Sequence, residues 1–156
     1  MKTLCLYYTR TNTTKAAMEH LAKVLDADLA EYTDGKDRSG ALGYVGACFA
    51  GLKKNWKITV EGNLSIGDYD RVLIGMPIWV EGPCAVGKAL IRQYADSLPQ
   101  DVYYVVTQMG PSDYSSKIKK LDDLLGRPAA GQVSLKTKDN DFLKDAEEFA
   151  GTLKAD

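Results

Sequence analysis

The runs Arg71-Val72-Leu73-Ile74-Gly75-Met76 and Val102-Tyr103-Tyr104-Val105-Val106-Thr107 are apolar through their middles, with none of the polar alternation of a half-exposed strand. Strands of this kind are buried on both faces, which calls for a parallel sheet covered by helices on each side. The covering elements lie between and after the runs. Val86, Ala89, Leu90 and Tyr94 share one helical stripe, and Ile118, Leu121, Leu124 and Leu125 a second. Phe142, Ala146, Phe149, Ala150 and Leu153 form a third. An N-terminal strand through Tyr8 is followed by a helix that carries Ala17, Met18, Leu21, Val24 and Leu25. Asp28 to Tyr32 reads as a short, partly polar strand suited to a sheet edge, and Ala130 to Leu135 as the last strand. Strand–helix alternation of this kind predicts a doubly wound α/β fold with right-handed crossovers.

Residues 1–156 are read as one domain, long enough for a substantial core. Twenty basic and 21 acidic residues leave a formal charge of −1, so nothing points to a nucleic-acid partner or a membrane surface. No apolar stretch is long enough for membrane insertion, and no signal-peptide pattern precedes the first strand. Cys5, Cys48 and Cys84 make an odd number with no C-x-x-C pair, which suits free thiols in a reducing, cytoplasmic setting.

In an open parallel sheet the ligand lies beyond the carboxyl ends of the strands, at the switch point of strand order. Those ends are distinctive here. The first strand runs into Thr9-Arg10-Thr11-Asn12-Thr13-Thr14, where a helix begins. A helix N-terminus presents unpaired N–H groups and partial positive charge, and the threonines add hydroxyls around the same point. This neutral cup of donors suits a phosphate monoester. The third strand leads into Pro77-Ile78-Trp79-Val80-Glu81-Gly82-Pro83, a proline-bounded loop whose Trp79 suits stacking on a planar ligand. The fourth ends in Thr107-Gln108-Met109-Gly110, with Tyr114 shortly after.

One segment breaks the rhythm. Asp34 to Gly67 is too long for a simple connection. Leu42, Val45, Phe49 and Leu52 recur at helical spacing within it, and Ser39 stands where a cap belongs. Gly40, Gly43 and Gly46 weaken such a helix unless close packing compensates. The stretch reads either as an ordinary covering helix with a long return loop or as a cover over a ligand site.

Thr9-Arg10-Thr11-Asn12-Thr13-Thr14 resembles the flavodoxin phosphate loop, [ST]-x-T-G-x-T, and Asp70 through Trp79 resembles that family's third strand and first flavin loop. The order of elements matches along the whole chain. The phosphate loop departs at Asn12, where the family usually has glycine; asparagine is among the few other residues that tolerate left-handed backbone. The resemblance implies a five-stranded parallel sheet of order 2-1-3-4-5 in a three-layer sandwich, with non-covalently bound FMN. It further implies that Thr9, Arg10, Thr11, Asn12, Thr13 and Thr14 surround the phosphate. Pro77, Ile78, Trp79, Val80, Glu81 and Gly82 then flank the isoalloxazine, and Thr107, Gln108, Met109 and Gly110 line its pyrimidine edge. Tyr114 is the candidate for its second face.

Other ligands of doubly wound folds lack their motifs. There is no G-x-G-x-x-G after the first strand, no G-x-x-x-x-G-K-[ST] and no G-x-S-x-G. His20 falls off the apolar stripe of its helix, and Cys84, beyond the tryptophan loop, lacks a paired base. No catalytic residue and no metal cluster is expected. Three functions fit the resemblance. The first is electron transfer through FMN to a redox partner protein or small-molecule acceptor. The second is an FMN-dependent NAD(P)H:quinone-type reductase. The third is an interaction module without flavin, against which the nearly intact phosphate loop speaks. The near-neutral charge weighs against a family carrier, since flavodoxins are usually strongly acidic, and the segment from Asp34 favours a substrate cover.

Overall fold

The elements follow in the order β1 (Thr3–Tyr7), α1 (Thr13–Leu25), β2 (Asp28–Thr33), α2 (Gly40–Phe49) and β3 (Thr59–Val60). A 3-10 turn (Ile66–Asp68) then leads to β4 (Arg71–Trp79), β5 (Gly82–Pro83), α3 (Ala85–Tyr94) and β6 (Asp101–Gln108). The chain closes with α4 (Ser115–Lys119), α5 (Leu121–Leu125), β7 (Gly131–Lys136) and α6 (Phe142–Lys154). The computed structural model describes residues 1–49 and 56–155, without the side chains of residues 44 and 47–49.

Five strands pair in parallel in the order β2-β1-β4-β6-β7, the order that the resemblance implied. Two short strands add antiparallel pairs. β2 is the edge of the parallel strands, and the short β3 lies along its outer side, with Tyr32 opposite Val60. β5 folds back on β4, with Ile78 opposite Pro83 and Trp79 opposite Gly82. The third main strand therefore does not stop at Met76. It continues through Pro77 and Ile78 and ends on Trp79, because Pro77 still pairs in register with Thr107 and its carbonyl accepts the Cys84 N–H at 3.0 Å.

Side chains of β1 divide between two cores, as strand geometry requires. Leu4, Leu6 and Tyr8 face Val86, Leu90, Leu121 and Leu125 of α3 and α5. Cys5 and Tyr7 face Ala17, Met18 and Leu21 of α1 with Ala146, Ala150 and Leu153 of α6. Gly75 permits α1 to lie close on β4: a Cβ there would meet Met18 Cγ at 2.5 Å. The stripe expected to make one helix from Ile118 to Leu125 is split between α4 and α5 at Lys120, yet Ile118, Leu121 and Leu125 are all buried.

The helix expected after Ser39 is present as α2, but the described part of its stripe is not a core face. Leu42 is 89% and Val45 51% exposed, while the Phe49 side chain and Leu52 lie outside the described residues. Close packing does compensate at one glycine. A Cβ on Gly43 would fall 2.0 Å from the Arg38 carbonyl carbon, so α2 turns directly on the Arg38 backbone.

Candidate functional site

The phosphate-loop backbone takes the shape that its sequence allows. Asn12 is the N-cap of α1 with φ 66° and ψ 2°, the left-handed conformation for which asparagine is one of few candidates. Its carbonyl accepts the Ala16 N–H at 3.0 Å and starts the helix. The Asn12 side chain makes no capping bond and no acidic residue occupies the first turn, so the amide donors of that turn are left for an anion. Thr9 Oγ1 is buried without a hydrogen-bond partner among the described residues. A buried hydroxyl in that state costs free energy unless something accepts from or donates to it, and a phosphate oxygen at this loop is such a partner. Thr14 is committed elsewhere: its hydroxyl shares a 2.7 Å hydrogen bond with that of Thr107, tying the loop to the end of β6.

A cavity of about 230 Å³ opens beside this loop, at the carboxyl ends of β1, β4 and β6 where the strand order reverses. Arg10, Thr11, Thr13 and Thr14 line it from the first loop, and Pro77, Ile78 and Trp79 from β4. Thr107, Gln108, Met109 and Gly110 complete the third side, and Tyr114, at the start of α4, joins them. Five residues assigned to the ligand from sequence lie outside this lining. Thr9 and Asn12 sit within the phosphate loop itself. Val80, Glu81 and Gly82 are carried away because β4 reverses at Val80-Glu81 into β5. Glu81 instead forms an exposed 3.6 Å ion pair with Lys117 of α4.

Gln108 does more than lend backbone to the site. Its side-chain amide donates to the carbonyls of Gly110 and Ser112, both at 2.7 Å, and its Oε1 accepts from the Ser134 hydroxyl. The loop after β6 is thus folded around one buried side chain. The Gln108 carbonyl accepts from the Thr137 amide at 2.8 Å and from its hydroxyl at 3.2 Å. Thr137 also lines the cavity. The sequence reading missed it, and its only signal is its place one residue past the last strand.

Behind Trp79 stands a second residue that the sequence did not reveal. Arg38 is buried and donates to both carboxylate oxygens of Asp34, at 2.8 and 2.7 Å. Its run, Asp34-Gly35-Lys36-Asp37-Arg38, reads as a solvated charged turn, and only the i, i+4 spacing of Asp34 and Arg38 hints at a pair. Burial acts to raise the Asp34 pKa, but the Arg38 hydrogen bonds and charge, with the Lys36 amide, hold it below the usual carboxylate value.

The thiol beyond the tryptophan loop is out of reach of solvent. Cys84 has no exposed surface, caps α3 by accepting the Gly87 N–H, and has its pKa pushed up to about 12 by burial. Cys5 is buried too, with its pKa likewise raised to about 12. His20 lies 3.8 Å from Glu147, between α1 and α6 and away from the cavity lining. Among the described residues no group of three or more His, Cys, Asp or Glu is placed to hold a metal, and no helix is long and apolar enough to cross a membrane.

A parallel sheet in this order, helices on both faces and a threonine turn at the switch point define a flavodoxin-like α/β fold. Among solved structures the chain is similar to a flavoprotein from Lactobacillus acidophilus NCFM in complex with FMN. The two are 25% identical, with 94% of this chain and 98% of that chain covered at a TM-score of 0.71. A flavoprotein candidate from Bacteroides eggerthii DSM 20697 is 19% identical over 98% of each chain, with a TM-score of 0.76. Flavodoxin 2 from Bacillus cereus, in its oxidised form, is 14% identical over 99% of each chain, with a TM-score of 0.59. No family model matches the sequence, and no curated protein was found similar to it.

Proposed function

We propose that the chain binds FMN non-covalently and serves as an electron-transfer protein. The observation that carries this reading is the 9–14 loop: a left-handed Asn12, a helix start without a side-chain cap and a buried Thr9 hydroxyl without a partner among the described residues meet beside a cavity edged by Trp79 and Tyr114. The donor set matches a dianionic monoester, and the aromatic rings match a flat heterocycle. FMN, when bound, supplies one-electron and hydride chemistry that no side chain of the cavity offers. The protein's part is to hold the phosphate with the 9–14 loop, to present backbone groups of 107–110 to the ring edge, and to limit water with Trp79 and Tyr114. The structure of an FMN complex at 25% identity supports the choice of FMN.

A second reading, an FMN-dependent NAD(P)H reductase, is favoured by the 34–49 segment, which is anchored against Trp79 through Arg38. The test is a titration of the flavin-free protein with FMN, riboflavin and FAD, followed by anaerobic addition of NADH or NADPH. The carrier reading expects tight FMN binding, weaker riboflavin binding, and slow bleaching of the flavin by either nucleotide. Rapid bleaching selects the reductase, and absence of FMN binding overturns both.

A further inference from the structure

Arg38 belongs to no motif, yet the fold gives it a specific place. Its side chain is 5% exposed and that of its partner Asp34 4%. Besides that pair, its guanidinium donates to the Tyr8 hydroxyl at 3.4 Å. The guanidinium carbon lies 5.4 Å from the Trp79 ring centroid and 5.0 Å from that of Trp56. Tyr8 meets the Trp79 indole edge-on, with centroids 5.6 Å apart and planes at 79°. Trp79 lines the cavity, whereas Arg38 and Tyr8 do not, so the indole stands between them and the ligand space.

We propose that Arg38 is a positioning residue for the stacking wall of the site: it sets the plane of Trp79 from behind and couples the 34–49 segment to flavin binding. The inference rests on the FMN reading above. The physical case has three parts. Trp79 ends a strand at a two-residue reversal, and its Nε1 has no hydrogen-bond partner among the described residues, so no polar bond fixes its orientation. A planar guanidinium can stack on an indole face while its edge is held by a carboxylate, an arrangement that an ammonium cannot reproduce. The Asp34 carboxylate balances the cation, so the stack adds no net charge near the ring. Because α2 packs on the Arg38 backbone through Gly43, displacement of that segment displaces the guanidinium as well.

The sequence holds two tryptophans, so Trp56→Phe leaves Trp79 as the only indole and keeps a ring beside Arg38. In that parent, Arg38→Lys and Arg38→Met are compared by acrylamide quenching of Trp79 without ligand, then by affinity for FMN and for riboflavin. Expected is a clear rise in acrylamide quenching for both variants. FMN and riboflavin affinities should fall by the same factor, about tenfold for Arg38→Met, the size of a buried cation–π contact, and less for Arg38→Lys. Equal loss for the two flavins marks an effect on the ring wall and not on the phosphate. If Arg38→Met does not fold, Arg38→Lys, which keeps the cation, decides alone. Wild-type quenching and wild-type flavin affinities in Arg38→Lys would overturn the proposal, and so would a loosened Trp79 with unchanged affinities. A parent that binds neither flavin sinks the FMN reading instead, while acrylamide quenching still decides whether Arg38 orients the indole.

Discussion

Two backbone positions with φ above zero flank the cavity, and they differ in cost. Asn12, at φ 66°, is a residue that the left-handed region accepts. Val80, at φ 57°, is β-branched and sits first in the two-residue reversal between β4 and β5, where glycine is the usual choice. The residue is 62% exposed, so little packing offsets the strain. Relief of about 1–2 kcal/mol of left-handed strain exceeds glycine's entropic cost of about 0.5–1 kcal/mol. Val80→Gly is therefore expected to raise the urea midpoint, and a lowered midpoint would show that the valine side chain holds the turn. At the phosphate loop, Thr9→Ala with Thr11→Ala removes two hydroxyls from the proposed ligand, at about 1–3 kcal/mol each. FMN affinity should fall while riboflavin affinity barely changes. Equal losses would mean that these hydroxyls do not meet the phosphate.

At the scale of elements, the site depends on two segments held by single buried polar groups. The loop after β6 is organised by Gln108, whose amide satisfies the Gly110 and Ser112 carbonyls. Gln108→Glu keeps the shape and turns donors into a carboxylate that faces two carbonyl oxygens. Faster amide hydrogen exchange across 109–114 is expected, read by mass spectrometry against the β1 amides as an internal control. Unchanged exchange would show that Ser134 and Thr137 suffice to hold the loop. The 34–49 segment depends on Asp34 and Arg38. The folded-state pKa of Asp34 is depressed, so its contribution is fully present above the unfolded value of about 3.9 and is lost as pH falls through the folded pKa. Trp emission should therefore change at acid pH before global unfolding, and Asp34→Asn should abolish that step. A step that persists in Asp34→Asn would assign it to another carboxylate.

For the whole molecule, the balance of charge bears on electron transfer. The formal charge is −1, and Glu81 and Asp113 beside the loops are opposed by Lys117 and Lys136 close to them. Reduced flavin carries negative charge, which a strongly acidic surface disfavours; distant charges are screened beyond a Debye length of about 8 Å in physiological salt. The bound flavin is thus expected to have a reduction potential less negative than in acidic flavodoxins, measured by anaerobic spectroelectrochemical titration. A potential as low as theirs would show that burial of the ring, and not surface charge, sets its value.

Much of the fold was legible because period and composition are local. The double-sided burial of Val72–Met76 and Val102–Val106, the helical stripes between them and the threonine turn all follow from residues close in sequence. Asn12 announced its own backbone conformation in the same way. The arrangements across elements were not legible. That β4 runs on to Trp79 depends on pairing with β6 and β5, and that Cys84 is inert depends on its place under the α3 cap. Leu42 and Val45 recur at the spacing of a core face, yet both are exposed. Arg38 looked solvated in a charged turn and is buried only because Asp34, Tyr8 and two indoles converge on it. Sequence by itself determined the main strands and helices and the backbone shape of the 9–14 turn, since both rest on short-range sterics and hydrogen bonding. Only the tertiary structure decided which polar groups lose their water, because desolvation depends on neighbours from distant parts of the chain.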